Sequence, residues 1–262
     1  MKIGIVYKKD NAQTEKLVGE IRKYLDGKAE VVDEGNLAGP DYILVLGGDG
    51  TLIHKACELA HFKIPFIGIN TGNLGFLTAS DSKDWQKAID HLVFGKKVFV
   101  SERMMLDIKV GKEVFRAVNE AVVKGLYRIV DLKLIVNGEP FLKVLGDGVI
   151  VSTQTGSTAY SLSSGGPIVD PEVDCLLITP VNPTGLPIPS VVLSPKDEVI
   201  IKITKGSDIS LVVDGQVHTK LCEGQEVIFK RGLHNLKLGY FKKEQFLKAL
   251  NAKFGLAGRA GG

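Results

Sequence analysis

The first hundred residues alternate short apolar runs with segments of helical spacing, and this alternation limits the fold more than any other feature of the chain. Strands are predicted over residues 3–7, 29–32, 42–46 and 65–69, and helices over residues 11–25, 52–60 and 82–94. A strand–helix–strand order favours a parallel sheet with helices on its faces, and ligands of such sheets bind beyond the carboxyl ends of the strands. We therefore expect a Rossmann-like α/β domain with a parallel sheet over residues 1–97.

The pattern changes near residue 98, where short strand-like runs are separated by turn pairs such as Asn137-Gly138 and Asp214-Gly215. The runs cover residues 105–110, 115–118, 131–136, 199–203, 211–213 and 226–230. They predict a layered, β-sandwich-like domain over residues 98–240. The expected fold class is therefore α/β plus all-β.

Two further segments are predicted from local composition. Residues 241–262 are expected to contain a helix, over residues 242–253, and a flexible glycine-rich tail. The sequence leaves open whether this helix returns to the first domain. Residues 179–189 carry 4 of the 10 prolines and are predicted to form a fixed loop of polyproline II character.

Composition excludes several classes of partner. A net charge of +3 over 262 residues is too small to predict a nucleic-acid surface. No segment approaches the roughly 18 consecutive apolar residues of a membrane span, and the chain starts directly in a strand, so no signal peptide is expected. The three cysteines are far apart, and none of the 5 histidines lies in a metal-ligand spacing. We expect a cytoplasmic protein with no nucleic-acid partner, no membrane partner and no metal ligands of its own.

The sequence Gly47-Gly48-Asp49-Gly50-Thr51 joins the predicted strand over residues 42–46 to the helix that follows it. Backbone N–H groups at a glycine-rich turn and the helix dipole both favour an anion, and glycine lets a phosphate approach the backbone closely. A carboxylate is unusual there, because Asp49 repels phosphate unless a cation bridges them or the carboxylate has a proton to accept. The motif therefore favours phosphoryl transfer with a metal nearby. The alternative is a tight turn in which Asp49 is only the helix N-cap.

Two more polar motifs follow or interrupt predicted strands. Residues 70–76, NTGNLGF, form a second glycine-rich loop, for which a simple turn is the alternative. Asn119-Glu120 interrupts an apolar strand, and neighbouring side chains of a strand point to opposite faces, so at most one of the two faces a given core. A buried carboxylate or amide needs hydrogen-bond partners, which makes the pair a candidate for ligand contact. An edge or bulge position is the alternative.

A longer segment, residues 146–163, runs from a strand into a loop of small hydroxyl residues and then into a helix-like stretch. Hydroxyls and backbone amides at a helix start suit a sugar or an anion, and the ring of Tyr160 could stack on a base. The alternative is that Ser157 or Thr158 only caps a helix. The remaining motif, Asp214-Gly215-Gln216, is predicted to be a hairpin turn.

Together these motifs resemble the NAD kinase family, also called the ATP-NAD kinases. The matching segments are GGDGT at 47–51, NTGNLGF at 70–76, NE at 119–120, GDG at 146–148 and TGSTAYSLSSGGPIVDP at 155–171. GGDGT alone is shared with diacylglycerol and sphingosine kinases and, loosely, with phosphofructokinases. The NE pair and the TGSTAYSLS-type segment are far more specific, and the ordered matches cover nearly the whole chain.

The resemblance implies an α/β nucleotide domain and a β-sandwich-like domain, with NAD between them. It implies transfer of the γ-phosphoryl group of ATP to the 2′-hydroxyl of the adenosine ribose of NAD, which gives NADP. It also implies a divalent cation, Mg²⁺ by expectation, bound mainly through ATP, and a cytoplasmic homodimer or homotetramer. The sequence does not decide whether polyphosphate can replace ATP.

The resemblance also implies roles for individual residues. Asp49 matches the base that accepts the proton of the ribose hydroxyl. The implied phosphate and ATP contacts are Gly47, Gly48, Gly50, Thr51, Asn70 and Gly72. The implied NAD contacts are Asp49, Gly50, His54, Asn119, Glu120, Asp147, Thr158, Ala159, Tyr160, Ser161, Ser163 and Gln216. For His54 the alternative is a solvent-exposed helix residue.

The sequence departs from the family pattern at two places. Many bacterial relatives place an Arg two residues before the Asp of the GDG motif, where this chain has Leu145; Lys143 could supply the missing positive contact. Residues 179–189 lack the His and Arg commonly found there. Both departures leave Asp49 and the NE pair intact, so they bear on donor choice and substrate affinity rather than on activity.

Other functions compete with this interpretation. A lipid kinase of the GGDGT group would need an apolar entry surface or a membrane-binding element, and the sequence shows neither. A non-catalytic dinucleotide-binding regulator could dispense with Asp49, which this chain keeps. A Rossmann dehydrogenase is disfavoured because no G-x-G-x-x-G follows the first strand.

Overall fold

The computed structural model describes residues 1–9, 11–37, 39–72, 75–185, 187–243 and 245–255, without the side chains of residues 217, 218 and 245. The chain divides into two compact units. One is Met1–Glu102 with the described part of Leu236–Gly262, and the other is Arg103–Asn235. No helix within these described ranges is long and apolar enough to cross a membrane.

The first unit is built on a parallel sheet. Its elements are β1 (Lys2–Tyr7), α1 (Ala12–Leu25), β2 (Glu30–Asp33), β3 (Tyr42–Leu46), α2 (Asp49–Leu59), β4 (Phe66–Asn70), β5 (Ser80–Asp81) and α3 (Trp85–Val93). The strand order is β4-β3-β1-β2, with Ile5 opposite Leu44 and Leu46 opposite Ile69, and β5 pairs in parallel with β4. The parallel α/β domain that the sequence predicts is confirmed.

Side-chain spacing places the helices of this unit on the sheet. In α1, Val18, Ile21 and Leu25 recur at helical intervals, and all three are buried in one core cluster with residues of β1 and β3. Asn11 caps the helix, because its side-chain oxygen accepts hydrogen bonds from two backbone N–H groups of the first turn at 2.9 and 3.2 Å. A cap of this kind stabilises a helix by about 1 kcal/mol.

The second unit is almost entirely strand. Its elements are β6 (Phe99–Val110), β7 (Glu113–Ala117), β8 (Glu120–Gly125), β9 (Val130–Val136), β10 (Glu139–Gly146), β11 (Gly148–Thr153), α4 (Tyr160–Ser163), β12 (Leu176–Val181), β13 (Val191–Leu193), β14 (Val199–Lys205), β15 (Ile209–Val213), β16 (Val217–Leu221) and β17 (Glu226–Tyr240). The chain enters this unit within β6 and leaves it within β17.

Two sheets of the second unit share one core. The first has the order β13-β12-β11-β8-β15-β16; the second runs β10-β9-β14-β17, and β17 also pairs with β6, which pairs with β7. Along β14, Val199, Ile201 and Ile203 are buried while Lys202 is exposed, which is the alternation of a strand with one face on a core. These three side chains share a cluster with Val149 of the other sheet, so the sandwich-like domain is confirmed.

Three details of this unit differ from the sequence-based expectation. β8 pairs with β11 on one side and with β15 on the other, so the edge position considered for Asn119-Glu120 is wrong. The run predicted over residues 226–230 continues as strand to Tyr240. Residues 179–181 belong to β12 rather than to a loop, and Pro180, which has no N–H to donate, lies beyond the residues that β13 pairs with.

The chain ends in α5 (Gln245–Phe254), which belongs to the first unit. The rings of Phe246 and Phe254 lie 6.3 and 6.2 Å from the ring of Phe76, in the loop after β4. The predicted C-terminal helix therefore returns to the first domain. The tail over residues 256–262 lies outside the described residues.

Candidate functional site

One cluster of predicted site residues lies in the first unit, where the neighbouring strands β3 and β4 end. The turn after β3 is tied to β4, since the backbone N–H of Gly47 donates to the carbonyl of Ile69 at 3.1 Å. Gly47 has a φ of +151°, and a Cβ there would lie 2.5 Å from Oγ1 of Thr51, so the turn itself requires glycine. A Cβ at Gly48 or Gly50 would meet no described atom within 4 Å. These two glycines leave open space beside the start of α2.

Asp49 is the first residue of α2, and the loop after β4 holds its carboxylate. The N-cap of α2 is Gly48, so the alternative in which Asp49 only caps the helix is wrong. Oδ2 of Asp49 accepts a hydrogen bond from the N–H of Phe76 at 2.7 Å, and Oδ1 accepts one from the N–H of Leu77 at 3.1 Å. A Cβ at Gly75 would lie 2.6 Å from Cγ of Asp49, so glycine permits this approach. The carboxylate is fixed, yet each oxygen keeps a lone pair for another partner.

The other predicted residues of this cluster lie on the loop after β4 and on α2. Asn70 is buried, and its Oδ1 accepts a hydrogen bond from the N–H of Gly72 at 2.9 Å, which shapes the loop. The side chain of His54 is 52% exposed, and its Nε2 lies 3.4 Å from Oε1 of Glu58, one turn further along α2. A ligand contact by His54 stays a prediction. Residues 73–74 of the predicted NTGNLGF motif lie outside the described residues.

A second cluster of predicted site residues lies in the second unit, at the junction between β7 and β8. Asn119 is half-buried there, and Glu120 is only 7% exposed. The carboxylate of Asp214 accepts hydrogen bonds from the three consecutive backbone N–H groups of residues 118–120, at 2.7, 2.9 and 3.0 Å. The predicted hairpin turn at residues 214–216 is confirmed by the pairing of β15 with β16. The contact of its carboxylate with the NE pair is an additional feature of that turn.

Glu120 is a buried acid whose carboxyl group is only partly hydrogen-bonded. Burial, and then the nearby negative charge of Asp214, raise the pKa of Glu120 from an ordinary 4.5 to about 8, and a hydrogen bond from the backbone N–H of Tyr160 opposes this shift. At neutral pH the carboxyl group is therefore mostly protonated and can donate as well as accept. Its buried Oε2 has no hydrogen-bond partner among the described residues. Since such an atom is costly to leave unpaired, a ligand hydrogen bond fits here.

Glu120→Gln is expected to gain stability relative to the wild type as the pH rises from about 5 to 8. In this window the folded wild type binds more protons than the unfolded chain, because the folded pKa of about 8 exceeds the unfolded value of 4.5. Wild-type stability therefore falls with rising pH, by up to about 1.4 kcal/mol per pH unit, and glutamine lacks this contribution. Urea unfolding across the window would measure the difference in the free energy of unfolding.

Glu139→Gln is the matched control, because Glu139 is exposed on β10 of the same unit. Its free energy of unfolding should track the wild type at every pH. A difference between Glu120→Gln and the wild type that stays constant with pH would contradict the raised pKa of Glu120.

The loop after β11 packs against the backbone of Asn119. Gly156 is buried, and a Cβ there would lie 2.6 Å from the carbonyl carbon of Asn119, so only glycine allows this approach. Oγ1 of Thr153 donates to the carbonyl of Val118 at 2.6 Å and accepts from the N–H of Gly156 at 3.2 Å. Two separate elements, this loop and the turn that carries Asp214, therefore hold the backbone of the NE pair.

The helix predicted after this loop is short, and neither hydroxyl considered as its cap fulfils that role. The N-cap of α4 is Ala159, which makes no side-chain capping bond. Oγ of Ser157 instead accepts a hydrogen bond from the N–H of Val169 at 3.1 Å, and Oγ1 of Thr158 donates to the carbonyl of Thr155 at 3.4 Å. The alternative in which Ser157 or Thr158 only caps a helix is therefore wrong.

The predicted NAD contacts around α4 differ in exposure. The hydroxyl of Ser161 is fully buried and shares a hydrogen bond of 2.9 Å with Oγ1 of Thr179, which ties α4 to β12. Tyr160 is 38% exposed, Ser163 is exposed and Ala159 is partly exposed. Tyr160 and Ser163 thus offer surface to a ligand, whereas the Ser161 hydroxyl is already paired within the fold.

Asp147 and Gln216 both lie in exposed turns. Asp147 sits between β10 and β11, and its Oδ2 accepts a hydrogen bond from Nδ2 of Asn182 at 2.7 Å. Gln216 ends the turn after β15, where its backbone N–H donates to the carbonyl of Val213 at 2.9 Å. Their contacts with NAD stay predictions.

The position before the GDG motif carries an exposed apolar side chain. Leu145 is 44% exposed. Nζ of Lys143, considered as a substitute for the Arg of relatives, lies 3.0 Å from Oδ2 of Asp131. Lys143 is therefore engaged in an ion pair within the second unit.

Sequence reasoning missed the groups that fix the predicted site residues in each of the two units. The N–H groups of Phe76 and Leu77 belong to the backbone and carry no side-chain signal. Asp214 is separated from Glu120 by 94 residues, so no local pattern links them. The sequence indicates these contacts only through Gly75 and Gly156. Because glycine has no side chain, Gly75 permits the close approach to Asp49 and Gly156 the close approach to Asn119.

A parallel sheet with a glycine turn for anions and a fixed carboxylate, in one chain with a β unit that carries a buried acid, is typical of a nucleotide-dependent phosphotransferase. Comparison with known proteins narrows this class. The family model of the ATP-NAD kinase N-terminal domain matches residues 9–97, and that of the C-terminal domain matches residues 118–239. The chain is 36% identical to an NAD kinase of Fusobacterium nucleatum over 244 residues, which cover 91% of each chain. The chain belongs to the NAD kinase family.

Other relatives agree with this assignment. The chain is 40% identical to an NAD kinase of Geobacter metallireducens over 235 residues, 87% of this chain and 83% of that one. The crystal structure of an NAD kinase from Archaeoglobus fulgidus in complex with ATP matches with a TM-score of 0.79 and 27% identity, covering 96% of this chain and 98% of that one. Yeast NADH kinase complexed with NADH shares the fold, with a TM-score of 0.87 and 23% identity over 100% of this chain and 90% of that one.

Proposed function

We propose that the protein transfers the γ-phosphoryl group of ATP to the 2′-hydroxyl of the adenosine ribose of NAD, which makes NADP. The ribose oxygen forms a bond to the γ-phosphorus, and the bond from that phosphorus to the β–γ bridging oxygen breaks. ADP leaves, and the hydroxyl proton passes to a base of the protein.

The held carboxylate of Asp49 carries this proposal. A ribose hydroxyl is a poor nucleophile at neutral pH and needs an oriented acceptor for its proton. The N–H groups of Phe76 and Leu77 fix the direction of the carboxylate beside the glycine turn, at 2.7 and 3.1 Å. We assign Asp49 as the base, and its position at the start of α2 supports that role.

The phosphate side of the reaction is assigned to the turn around Asp49. Gly48 and Gly50 leave open space at the N-terminus of α2, where backbone N–H groups and the helix dipole favour an anion. Within the described ranges, no three His, Cys, Asp or Glu side chains cluster so as to hold a metal. We assign the phosphate oxygens of ATP as the main ligands of a divalent cation, Mg²⁺, which would neutralise charge on the transferred group when bound.

Gly48→Ala is expected to raise KM for ATP about tenfold, or about 1.4 kcal/mol, without lowering the thermal unfolding midpoint. The φ of Gly48 is −86°, which alanine adopts freely, and its methyl group would enter the open space assigned to phosphate. Gly47→Ala is the matched variant, and it should lower the midpoint, because its φ is +151° and its Cβ would meet Thr51. Initial rates at varied ATP and a thermal melt would measure both effects. An unchanged KM for ATP in folded Gly48→Ala would remove the phosphate role of this glycine.

The ribose side of the reaction is assigned to Asn119 and Glu120. The protonated Glu120 can donate to a ribose oxygen and accept from a hydroxyl through Oε2, which lacks a partner among the described residues. Tyr160, whose own backbone N–H bonds Glu120, also carries an exposed ring that can stack on a base.

A coupled assay tests the proposed function. Purified protein, NAD and Mg²⁺ would be mixed with ATP or with polyphosphate, and NADP would be detected with an NADP-specific dehydrogenase. NADP formation with ATP is the expected result, and the second arm identifies whether polyphosphate also serves as donor. A protein that binds NAD but forms no NADP with either donor would be a regulator or a kinase for another hydroxyl.

We also propose that the chain forms a homodimer or homotetramer in the cytoplasm. Leu126, Tyr127 and Ile129, in the connection between β8 and β9, are 46%, 83% and 48% exposed, and a run of exposed apolar side chains favours contact with another copy. The three cysteines are free thiols, which fits a reducing compartment. Light scattering coupled to size-exclusion chromatography would measure the number of copies, and a monomer at micromolar concentration would contradict the assembly.

A further inference from the structure

Asp214 is a charged side chain to which the proposed reaction assigns no role. It occupies a hairpin turn with a φ of 45°, a left-handed conformation that aspartate tolerates better than most residues. Formation of the turn does not require a carboxylate at this position, yet both carboxylate oxygens of Asp214 accept hydrogen bonds. Oδ2 accepts from the N–H of Val118 at 2.7 Å, and Oδ1 accepts from the next two N–H groups at 2.9 and 3.0 Å.

The three N–H groups lie where strand pairing is interrupted. β7 ends at Ala117 and β8 begins at Glu120, so residues 118–119 belong to neither strand. Buried backbone donors need partners, and the carboxylate of Asp214 supplies them. The contact is reciprocal, because the N–H of Asp214 donates to the carbonyl of Glu120 at 3.0 Å.

We propose that Asp214 is a positioning residue, whose carboxylate fixes the backbone of residues 118–120 so that the side chains of Asn119 and Glu120 are set to bind the NAD ribose. This role rests on the proposed function, since it requires that the pair contacts NAD. Thr153 and Gly156 hold the same backbone through other atoms, so Asp214 completes its fixation from the β15–β16 turn.

The charge of Asp214 adds a second, measurable effect. The groups that act on the Glu120 carboxyl are the negative charge of Asp214 and the backbone N–H of Tyr160, besides burial itself. Asp214 therefore favours the protonated form of Glu120. Removing this charge lowers the pKa of Glu120, so the Glu120 inflection in the pH profile of kcat/KM for NAD moves to lower pH. This direction holds whichever protonation form binds NAD.

Asp214→Asn tests the role directly. Asparagine keeps the size of the side chain and tolerates the positive φ, but its NH₂ group cannot accept a hydrogen bond, so at least one of the three N–H groups loses its partner. We expect KM for NAD to rise about tenfold or more, KM for ATP to stay unchanged, and the Glu120 inflection to move to lower pH. A purely structural role would lower the unfolding midpoint without raising KM for NAD.

Two further variants complete the experiment. Asp208→Asn is the control, because Asp208 also sits in a turn of the second unit with a φ of 52° and is exposed; its kinetics should match the wild type. Asp214→Glu keeps the charge on a longer side chain, so it should raise KM for NAD and leave the inflection near the wild-type pH. If Asp214→Asn does not fold, Asp214→Glu decides, and an unchanged KM for NAD in that variant overturns the proposal.

The outcomes separate this proposal from the proposed function. If the wild type forms NADP and Asp214→Asn keeps the wild-type KM for NAD, the positioning role is overturned while the kinase function stands, wherever the inflection lies. If the wild type forms no NADP, the kinase function fails, and calorimetric titration of NAD decides the role of Asp214. Weaker NAD binding by Asp214→Asn, with normal binding by Asp208→Asn, then supports it, and equal binding overturns it.

Discussion

Asp49→Asn is expected to lower turnover by about 10²–10⁴-fold, the range that a positioned general base contributes. The substitution removes the proton acceptor and leaves the glycine turn in place, so the affinities for NAD and ATP should stay close to those of the wild type. One of the two N–H groups that hold Asp49, at Phe76 or Leu77, would face an NH₂ group, which costs about 1 kcal/mol of stability. Steady-state kinetics, calorimetric titration of NAD and a thermal melt would measure the three effects.

Asp90→Asn is the matched control for this experiment. Asp90 belongs to the same unit, and its Oδ1 accepts a hydrogen bond from the hydroxyl of Tyr24 at 2.8 Å, so the substitution perturbs a structural carboxylate alone. Its turnover should equal that of the wild type. Wild-type turnover in Asp49→Asn would rule out Asp49 as the base, and equal losses in both variants would point to stability rather than chemistry.

The fold was predictable where the pattern of apolar residues is local. The strand predicted over residues 42–46 has the same bounds in the structure, and α1 begins one residue after the predicted start. Both were predictable because a continuous apolar run and a helical spacing are visible in the sequence itself. α2 begins at Asp49 rather than at residue 52, since Asp and Gly in its first turn give no apolar signal. The strand predicted from residue 226 ends at residue 230, ten residues before the end of β17. The exposed Arg231 follows Lys230 and interrupts the alternation of apolar and polar residues.

The residues of the candidate site were predictable from the sequence, but the groups that hold those residues in place were not. The glycine motif after a predicted strand indicates Asp49 as a site residue. An amide and an acid within an apolar run indicate the NE pair. Each of these patterns spans only a few residues, so it is visible in the sequence. Asp214 and the N–H groups of Phe76 and Leu77 act through contacts across 27 to 96 residues, which depend on how the strands are arranged. The raised pKa of Glu120 has the same origin, since burial and the charge of Asp214 arise only in the fold.

Gly156→Ala is expected to lower both stability and affinity for NAD. Gly156 is buried, and a Cβ would lie 2.6 Å from the carbonyl carbon and 2.9 Å from the Cα of Asn119, so backbone must move on one side. Overpacking of this kind costs about 1–3 kcal/mol, and each kcal/mol lowers the unfolding midpoint of a chain of this size by about 2–4 °C. Because the displaced backbone carries Asn119 and Glu120, KM for NAD should rise about tenfold or more, while KM for ATP stays unchanged.

Gly19→Ala is the control for the added methyl group. Gly19 lies on the exposed face of α1, where a Cβ would meet no described atom within 4 Å, so alanine should raise stability by about 0.5–1 kcal/mol and leave both KM values unchanged. Thermal melts and initial rates at varied NAD and ATP would compare the two variants. A Gly156→Ala protein with lowered stability and a normal KM for NAD would show that the loop after β11 stabilises the fold but does not contribute to ribose binding. It would leave the turn that carries Asp214 as the element that sets the NE pair.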